Sequence, residues 1–358
     1  MRPIQKYVSD FLASRRLMGE DVQLAGMLEA DRLLQQLVHD NTIPGLAISV
    51  RKNNQPYFQK GYGYANLEGQ VLVDPQRTIF RIASISKPIA ATALAVMVRE
   101  GLLDLDASIY KYLPYFPRKE YDFTLRHLAS HTAGIRGYRG REYGLDLPMD
   151  SRESLRIFQD DPLLFKPGSN YSYTSFGWVL ISLAMEEVSG VSFADYVKKK
   201  VLEPFQMKDT FPEIPGEQPP QMAHFYTRYR AGFKKAIPVD NRYKLAGGGY
   251  VSTAVDVAKF GQQFLDTSLI EALNMQQFLT AEVIGSRETH YGLGWEINQD
   301  AWGRPTFGHI GKGVGGYAVL YVYPEEEMVF SLLVNCTNPG IQETLDMVVA
   351  LLIGGLEK

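Results

Sequence analysis

The run PIAATALAVMV, residues 88–98, carries no charged side chain and follows directly on SISK. A helix that is apolar on every side has no face to give to water, so it must lie inside a fold with other elements packed around it. A chain of 358 residues is long enough to wrap such a helix, as one large domain or two modest ones. The same run poses a problem, because Lys87 and the serines at 84 and 86 stand at the mouth of that core.

Three-residue spacing places Ser84 and Lys87 on one helix face, with β-carbons about 5–6 Å apart, while Ser86 points elsewhere. Pro88 is tolerated because it falls in the first turn, where backbone donors are mostly unpaired. The positive end of the helix dipole and an apolar setting both disfavour an ammonium, so the pKa of Lys87 is expected to fall. A lysine able to lose its proton near neutral pH can accept one from a serine hydroxyl, and the free N–H groups of the same helix end favour a negatively charged substrate oxygen. Ser-x-x-Lys is short and occurs three times. Ser49 and Lys52 fall on an expected strand, where positions three apart face opposite sides, and Ser108 with Lys111 fall in a polar segment past the helix. Only the copy at Ser84 joins helical spacing to a buried run.

Composition excludes several classes. The net charge of -3 and short basic clusters give no polyanion-binding surface, so nucleic acid is not expected as a partner. Lys198, Lys199 and Lys200 sit in a helical pattern and read as a solvated face. One cysteine, Cys336, rules out an internal disulfide and a thiolate cluster, and it reads as a small core side chain. No stretch has the roughly 20 apolar residues of a membrane span. The N-terminus lacks a secretory signal, so the chain is expected in the cytoplasm, with an exported or organellar protein as the alternative. Ile4, Tyr7, Val8, Phe11 and Leu12 are spaced as on an amphipathic helix, read as a packed surface helix or else a targeting or contact helix.

Along the chain, residues 22–38 carry a three-and-four apolar spacing that includes Leu28 and Leu34. Then come two strand-like runs, GLAISVRK and PYFQKGYGYAN, joined by a hairpin turn at NNQ, and a third run, TIFRIAS. Between Gly101 and about Leu245 helical patterns predominate; Asp150 with Glu153 forms a capping pair and Gly190 a helix stop. From Gly292 strands return (LGWEIN, TFGHI, YAVLYVYP, MVFSLLVN), and IQETLDMVVALLI closes the chain as a helix. The expected fold is α/β: an antiparallel sheet flanked by N- and C-terminal helices, built from 1–100 and 246–358, with a mainly helical insertion over 101–245 and the active site between them.

Two further segments converge on Ser84. Tyr173 stands in a Tyr-Thr-Ser triplet ahead of an apolar helix, and His309 precedes a glycine-rich turn between two strands, where backbone can approach a ligand closely. Other matches fail on context. Tyr64-Ala65-Asn66 lies in the early hairpin. The glycines at 311, 313 and 316 fit a dinucleotide fingerprint but open a strand instead of a helix. His127 and His131 have zinc-ligand spacing without the glutamate of a zincin.

With SISK at Ser84–Lys87, YTS at Tyr173–Ser175 and HIG at His309–Gly311, in that order, the chain resembles the serine β-lactamase and penicillin-binding-protein superfamily, in its class C-like branch. LASHTAGI, LAGGGYVSTAVDVAKF and YGLGW look like that family too. The resemblance implies a β-lactamase/transpeptidase-like fold and a serine hydrolase forming a covalent acyl-enzyme, with no metal and no organic cofactor. It implies Ser84 as nucleophile, Lys87 and Tyr173 as its base pair, and an oxyanion hole from the backbone N–H groups of Ser84 and Lys312, beside Gly311. His309 stands where typical β-lactamases have lysine, in a place to hydrogen-bond Tyr173 or the substrate, and as histidine would titrate near pH 6–7. Ser175 stands where many relatives have an asparagine that grips an acylamino group. Both departures favour an esterase or peptidase, similar to the mitochondrial β-lactamase-like proteases, over antibiotic hydrolysis. The substrate classes left open are small-molecule esters, peptides and β-lactam-like compounds; a true β-lactamase or D,D-peptidase, and a scaffold that lost turnover, are the alternatives. Lys312 is a candidate for attracting a substrate carboxylate. No motif sets the oligomeric state.

Overall fold

The computed structural model describes residues 25–354; the helix expected around residues 3–16 lies outside them. The described residues divide into two compact units, one of residues 25–42 with 340–354 and one of residues 43–339.

The larger unit is organised on a seven-stranded antiparallel sheet. Its strands are β1 (Gly45–Lys52), β2 (Gln55–Asn66), β3 (Val71–Leu72), β4 (Glu296–Gln299), β5 (Pro305–Gly313), β6 (Gly316–Tyr323) and β7 (Met328–Val334), in spatial order β4-β5-β6-β7-β1-β2-β3. The first and last long strands are neighbours, with Leu46 opposite Val334 and Val50 opposite Phe330. The β1–β2 hairpin turns at Asn53 and Asn54, whose φ values of 50° and 59° suit the twist of the strands better than β-branched residues would. TIFRIAS forms only a two-residue strand, Phe80–Arg81, which pairs with Tyr250–Ser252 outside the large sheet. The reason is local: Ala83 adopts φ 45°, and the chain swings into a helical turn.

Helix α1 (Ser86–Arg99) is buried from Ser86 to Met97, as its uncharged sequence requires. Burying each of Ile89, Leu94 and Met97 contributes roughly 1.5–3 kcal/mol, so the start of α1 is anchored by its own body. Helix α2 (Phe176–Ser189) is also largely buried and ends at Gly190 with φ 68°, the left-handed stop expected there. Helix α3 (Ala254–Gln262) packs on β1 and β7. A β-carbon at Gly261 would lie 2.6 Å from Val329, so glycine sets the spacing of helix and sheet.

Between residues 101 and 245 the remaining structure is short helices, turns, a two-residue strand Phe211–Pro212 paired with Tyr250–Ser252, and a hairpin of Tyr226–Tyr229 with Gly232–Lys235. Asp150 and Glu153 exchange the reciprocal bonds of a cap, at 3.0 and 2.7 Å, but over a 3₁₀ helix, Glu153–Ile157. Cys336 is buried and its thiol is pushed up to about 11 by burial. Among the described residues no single helix is long and apolar enough to cross a membrane.

The smaller unit contains a helix over residues 25–39 and the C-terminal helix Gln342–Ile353. They approach closely at Gly26, where a β-carbon would meet the Leu351 carbonyl at 2.6 Å. Ala30 and Leu34 are buried there, whereas Leu28 is exposed, because one residue beyond Met27 is a rotation of about 100° off the stripe.

Candidate active site

Ser84 sits in a 3₁₀ turn, Ala83–Ile85, immediately before α1, and not within the α-helix itself. The three-residue spacing still works, because side chains at i and i+3 eclipse in a 3₁₀ turn. Ser86 is used structurally: its hydroxyl donates to the Ala83 carbonyl at 2.6 Å and accepts from the Tyr250 N–H. Strand β5 is pressed against this turn. At Gly311 a β-carbon would lie 2.2 Å from the Ile82 carbonyl oxygen and 3.2 Å from the Ser84 nitrogen, so only glycine permits the approach. The Ile310 N–H donates to the Glu296 carboxylate, outward from β6. Alternate residues of an antiparallel strand turn their N–H groups the same way, so Lys312 presents its own on that outer edge, beyond the end of β4.

Lys87 is fully buried. Its Nζ lies 2.6 Å from the Gly247 carbonyl oxygen, 3.0 Å from Ser84 Oγ and 3.2 Å from Ser175 Oγ. An ammonium has three protons for these three oxygens. A neutral amine has two protons and a lone pair, and since a carbonyl can only accept, the contact that reverses must be with a serine hydroxyl. Burial pushes the Lys87 pKa well below the usual lysine range; the charge of Lys244 adds to this and that of Glu296 opposes it. The Gly247 carbonyl gets close enough because a β-carbon there would clash with Ser175 Cβ at 2.9 Å.

The Tyr173 hydroxyl donates to Ser84 Oγ at 2.9 Å, and its ring centroid is 4.8 Å from Lys87 Nζ. Burial of the hydroxyl raises its pKa, with the bond to Ser84 opposing; the residue is 40 % exposed, so solvent limits that rise. Ser84, Lys87, Tyr173 and Ser175 therefore form one hydrogen-bonded group.

His309 is brought near but is placed differently from the sequence expectation. Its Nδ1 is 2.9 Å from the Ile310 carbonyl oxygen, which puts the proton on Nδ1 and leaves Nε2 to accept from the Tyr291 hydroxyl at 2.9 Å. The ring is buried behind the cleft wall, 6.1 Å between centroids from Tyr173, with no hydrogen bond between them. Burial and the charge of Lys87 push its pKa down to about 3, so the expected titration near pH 6–7 does not occur; a desolvated imidazole beside a cation stays neutral.

Several residues of the site lie outside the three motifs that mark it in the sequence. His131, with φ 61°, accepts the Thr174 N–H on Nδ1 at 3.3 Å, takes the Ser172 N–H on its carbonyl at 2.9 Å and lays its ring 4.3 Å from that of Tyr173. It thus clamps both neighbours of Tyr173, while His127 caps the short helix Leu125–Ala129. Glu296 Oε1 lies 3.4 Å from His309 Nδ1, and burial raises its carboxyl to about 7 against the pull of the Ile310 N–H, Lys312 and Lys87. The segments HTAG, LAGGG and YGLGW were distinctive as patterns, but which side chain in or beside each faces Ser84 depends on loop paths that no periodicity encodes.

Ser84, Tyr173, Ser175, Glu296 and Lys312 line a cleft of about 440 Å³, large enough for a small-molecule or peptide group. The chain matches the family model described as Beta-lactamase over residues 30–352. It is 29% identical to the human serine beta-lactamase-like protein LACTB, mitochondrial, covering 89% of this chain and 78% of that protein. It is 26% identical to a putative D-alanyl-D-alanine carboxypeptidase of Escherichia coli, covering 86% and 81%. Among solved structures, the octameric penicillin-binding protein homologue from Pyrococcus abyssi superposes with a TM-score of 0.79 at 28% identity, covering 91% of this chain and 77% of that one.

Proposed function

The chain belongs to the beta-lactamase family, and on that footing we propose that it is a serine hydrolase that cleaves ester or amide bonds through an acyl-enzyme on Ser84. The observation that carries this reading is one oxygen held between two proton handlers: Ser84 Oγ lies 3.0 Å from Lys87 Nζ and 2.9 Å from the Tyr173 hydroxyl.

Neutral Lys87 accepts the Ser84 proton as Oγ bonds to the substrate carbonyl carbon. The oxygen that becomes negative is received by the N–H groups of Ser84 and Lys312, an arrangement that depends on Gly311 having no side chain. The proton then passes by way of Tyr173 to the departing alcohol or amine as its bond to the carbonyl carbon breaks. Water repeats the sequence: it loses a proton to the Lys87–Tyr173 pair, attacks the acyl carbon and releases Ser84 with its proton restored. Ser175 holds Lys87 from the side and lines the cleft, offering a hydroxyl to the substrate. His309, neutral and turned to Tyr291, is a positioning residue for the wall behind Tyr173.

Ser84, Lys87 and Lys312 come from the sheet-forming portions of the sequence and Tyr173 and Ser175 from residues 101–245, so we read the cleft as the seam of a sheet domain and an inserted one. The mitochondrial location in the human relative's name makes an organelle, beside the cytoplasm, the compartment to test by imaging the full chain.

The test is mass spectrometry after exposure to a fluorophosphonate, with parallel turnover of 4-nitrophenyl butyrate, a D-alanyl peptide and nitrocefin. A single adduct on Ser84 and loss of all turnover in Ser84→Ala, with its melting temperature kept, are expected. Turnover that survives Ser84→Ala would overturn the assignment.

A further inference from the structure

Lys244 also lines the cleft, and the chemistry above uses it only as a charge that helps lower the Lys87 pKa, giving it no contact with substrate. It is only 8 % exposed, and its Nζ donates to one oxygen, the Tyr143 carbonyl at 3.0 Å. Around it stand three tyrosine rings, of Tyr138, Tyr243 and Tyr143, with centroids 5.2, 5.3 and 5.6 Å from Nζ. No carboxylate of the described residues comes within 4.0 Å of it, the reach of an ion pair.

Arg81, the nearby cation, shows what a neutralised charge looks like in the same wall. Its guanidinium holds Glu213 through Nε and Nη2, at 2.6–2.9 Å, and donates to the Val314 carbonyl through Nη1. Glu213 takes a further bond from Asn241, so its acceptors are committed elsewhere. Lys244 has a carbonyl and aromatic faces, which lower the cost of burying an ammonium without neutralising it. Burial accordingly draws its pKa down to about 8, with the charge of Arg81 acting in the same direction and that of Glu213, beyond ion-pair reach, opposing it.

The cleft as a whole has the opposite balance to the chain. The protein carries a net charge of -3, yet with Arg81 already neutralised by Glu213 the lining still has Lys244 and Lys312 against the single carboxyl of Glu296. A concave site lined by one sign of charge concentrates ligands of the other.

We infer that Lys244 is an anion subsite of this cleft, its tyrosine-caged ammonium receiving a carboxylate carried by the substrate. The carboxylate supplies the oxygen that the ammonium lacks and is held away from bulk water by the rings, so the pair is worth more than a surface ion pair. The class of substrate is then an ester or amide with a second, ionised carboxyl group, either on the acyl portion or on the leaving group. This rests on the acyl-enzyme reading only in treating the ligand as a substrate.

The experiment compares each anionic substrate with its neutral isostere. For the acyl side these are the 4-nitrophenyl monoester of glutaric acid and 4-nitrophenyl valerate; for the leaving group, the butyryl esters of 4-hydroxybenzoate and 4-hydroxybenzamide. In Lys244→Met the anionic-to-neutral ratio of kcat/KM is expected to fall by about tenfold in one of the two arms, and that arm tells where the carboxylate sits. Lys244→Arg should keep most of the ratio. A ratio that moves by less than about threefold in both arms overturns the inference. Failure of the wild-type protein to turn over any ester is a failure of the Ser84 assignment instead. Binding is then read calorimetrically with the glutarate monoester on Ser84→Ala, and no weakening on adding Lys244→Met would overturn the subsite on its own.

Discussion

The turn that carries Lys87 and the segment that carries Lys244 treat a buried lysine in opposite ways. Each puts an ammonium group beneath the surface with one backbone carbonyl as acceptor and a tyrosine ring about 5 Å away. At Lys87 the other partners are hydroxyls, Ser84 and Ser175, which can give a proton as readily as accept one. At Lys244 there are only aromatic faces. Burial makes both lysines reluctant to stay charged, but only the first has somewhere for a proton to come from. Depressed basicity therefore yields a base in one region and a fixed charge in the other, and the neighbouring oxygens decide which.

The sharpest way to break this comparison is to remove the amines one at a time. Lys87→Met should lower kcat/KM for a neutral ester by on the order of 10³-fold, within the range for losing a general base. The fold should tolerate the change, because methionine fills a similar volume and brings no charge into the core. Steady-state kinetics with 4-nitrophenyl valerate reads the loss. An equal loss in Lys244→Met on the same neutral ester would erase the distinction.

How much of this was legible in the sequence differs between the same two regions. The uncharged body of α1, the Ser84–Lys87 spacing and the strand periods of β5 and β6 are local patterns, and each marks a part of the site. The order of the three motifs gave the family and with it the fold. Lys244 has no such signature: it is one lysine beside a glycine run, and its meaning depends on Tyr138 and Tyr143 arriving from another segment. His131 and Glu296 are alike in this, since strain at φ 61° and a carboxyl against the Ile310 N–H exist only once the chain has folded. Even at Ser84 the sequence pattern did not distinguish an α-helix from the 3₁₀ turn, because both bring residues three apart together. The basicity of His309 is likewise hidden from the sequence, since it is set by burial and by Lys87 rather than by the imidazole alone.

A smaller effect sharpens the comparison through stability. The Lys244 pKa lies at about 8 in the fold against an ordinary 10.5, so between those values the unfolded chain binds the extra proton and stability rises with pH. Below pH 8 the folded state bears the full cost of the buried charge. Lys244→Met should therefore be more stable than wild type at pH 7 by about 2–3 kcal/mol, a gain of a few degrees in melting temperature. The gain should shrink steadily above pH 8 and be gone beyond 10.5. Calorimetric scans across that range check it; a variant that melts lower at pH 7 would mean the aryl cage stabilises the ammonium outright. A cost retained in the fold is what a binding role for the charge would explain.

The smallest effect concerns Glu296, whose charge acts on the Lys87 region. Its carboxyl, raised to about 7, ionises near neutrality, and its negative charge then raises the pKa of Lys87 and works against the free base. Glutamine at this position keeps an oxygen for the Ile310 N–H and removes the charge. In Glu296→Gln the acid limb of the kcat/KM profile should move to lower pH, and turnover of a neutral ester near pH 7 should rise by about two- to fivefold. His309 cannot be the source of such a limb, since at about 3 it is neutral throughout the range. A limb that moves to higher pH, or that stays fixed, would mean that the proton on Lys87 is controlled from its own region alone, by burial and the hydroxyls around it.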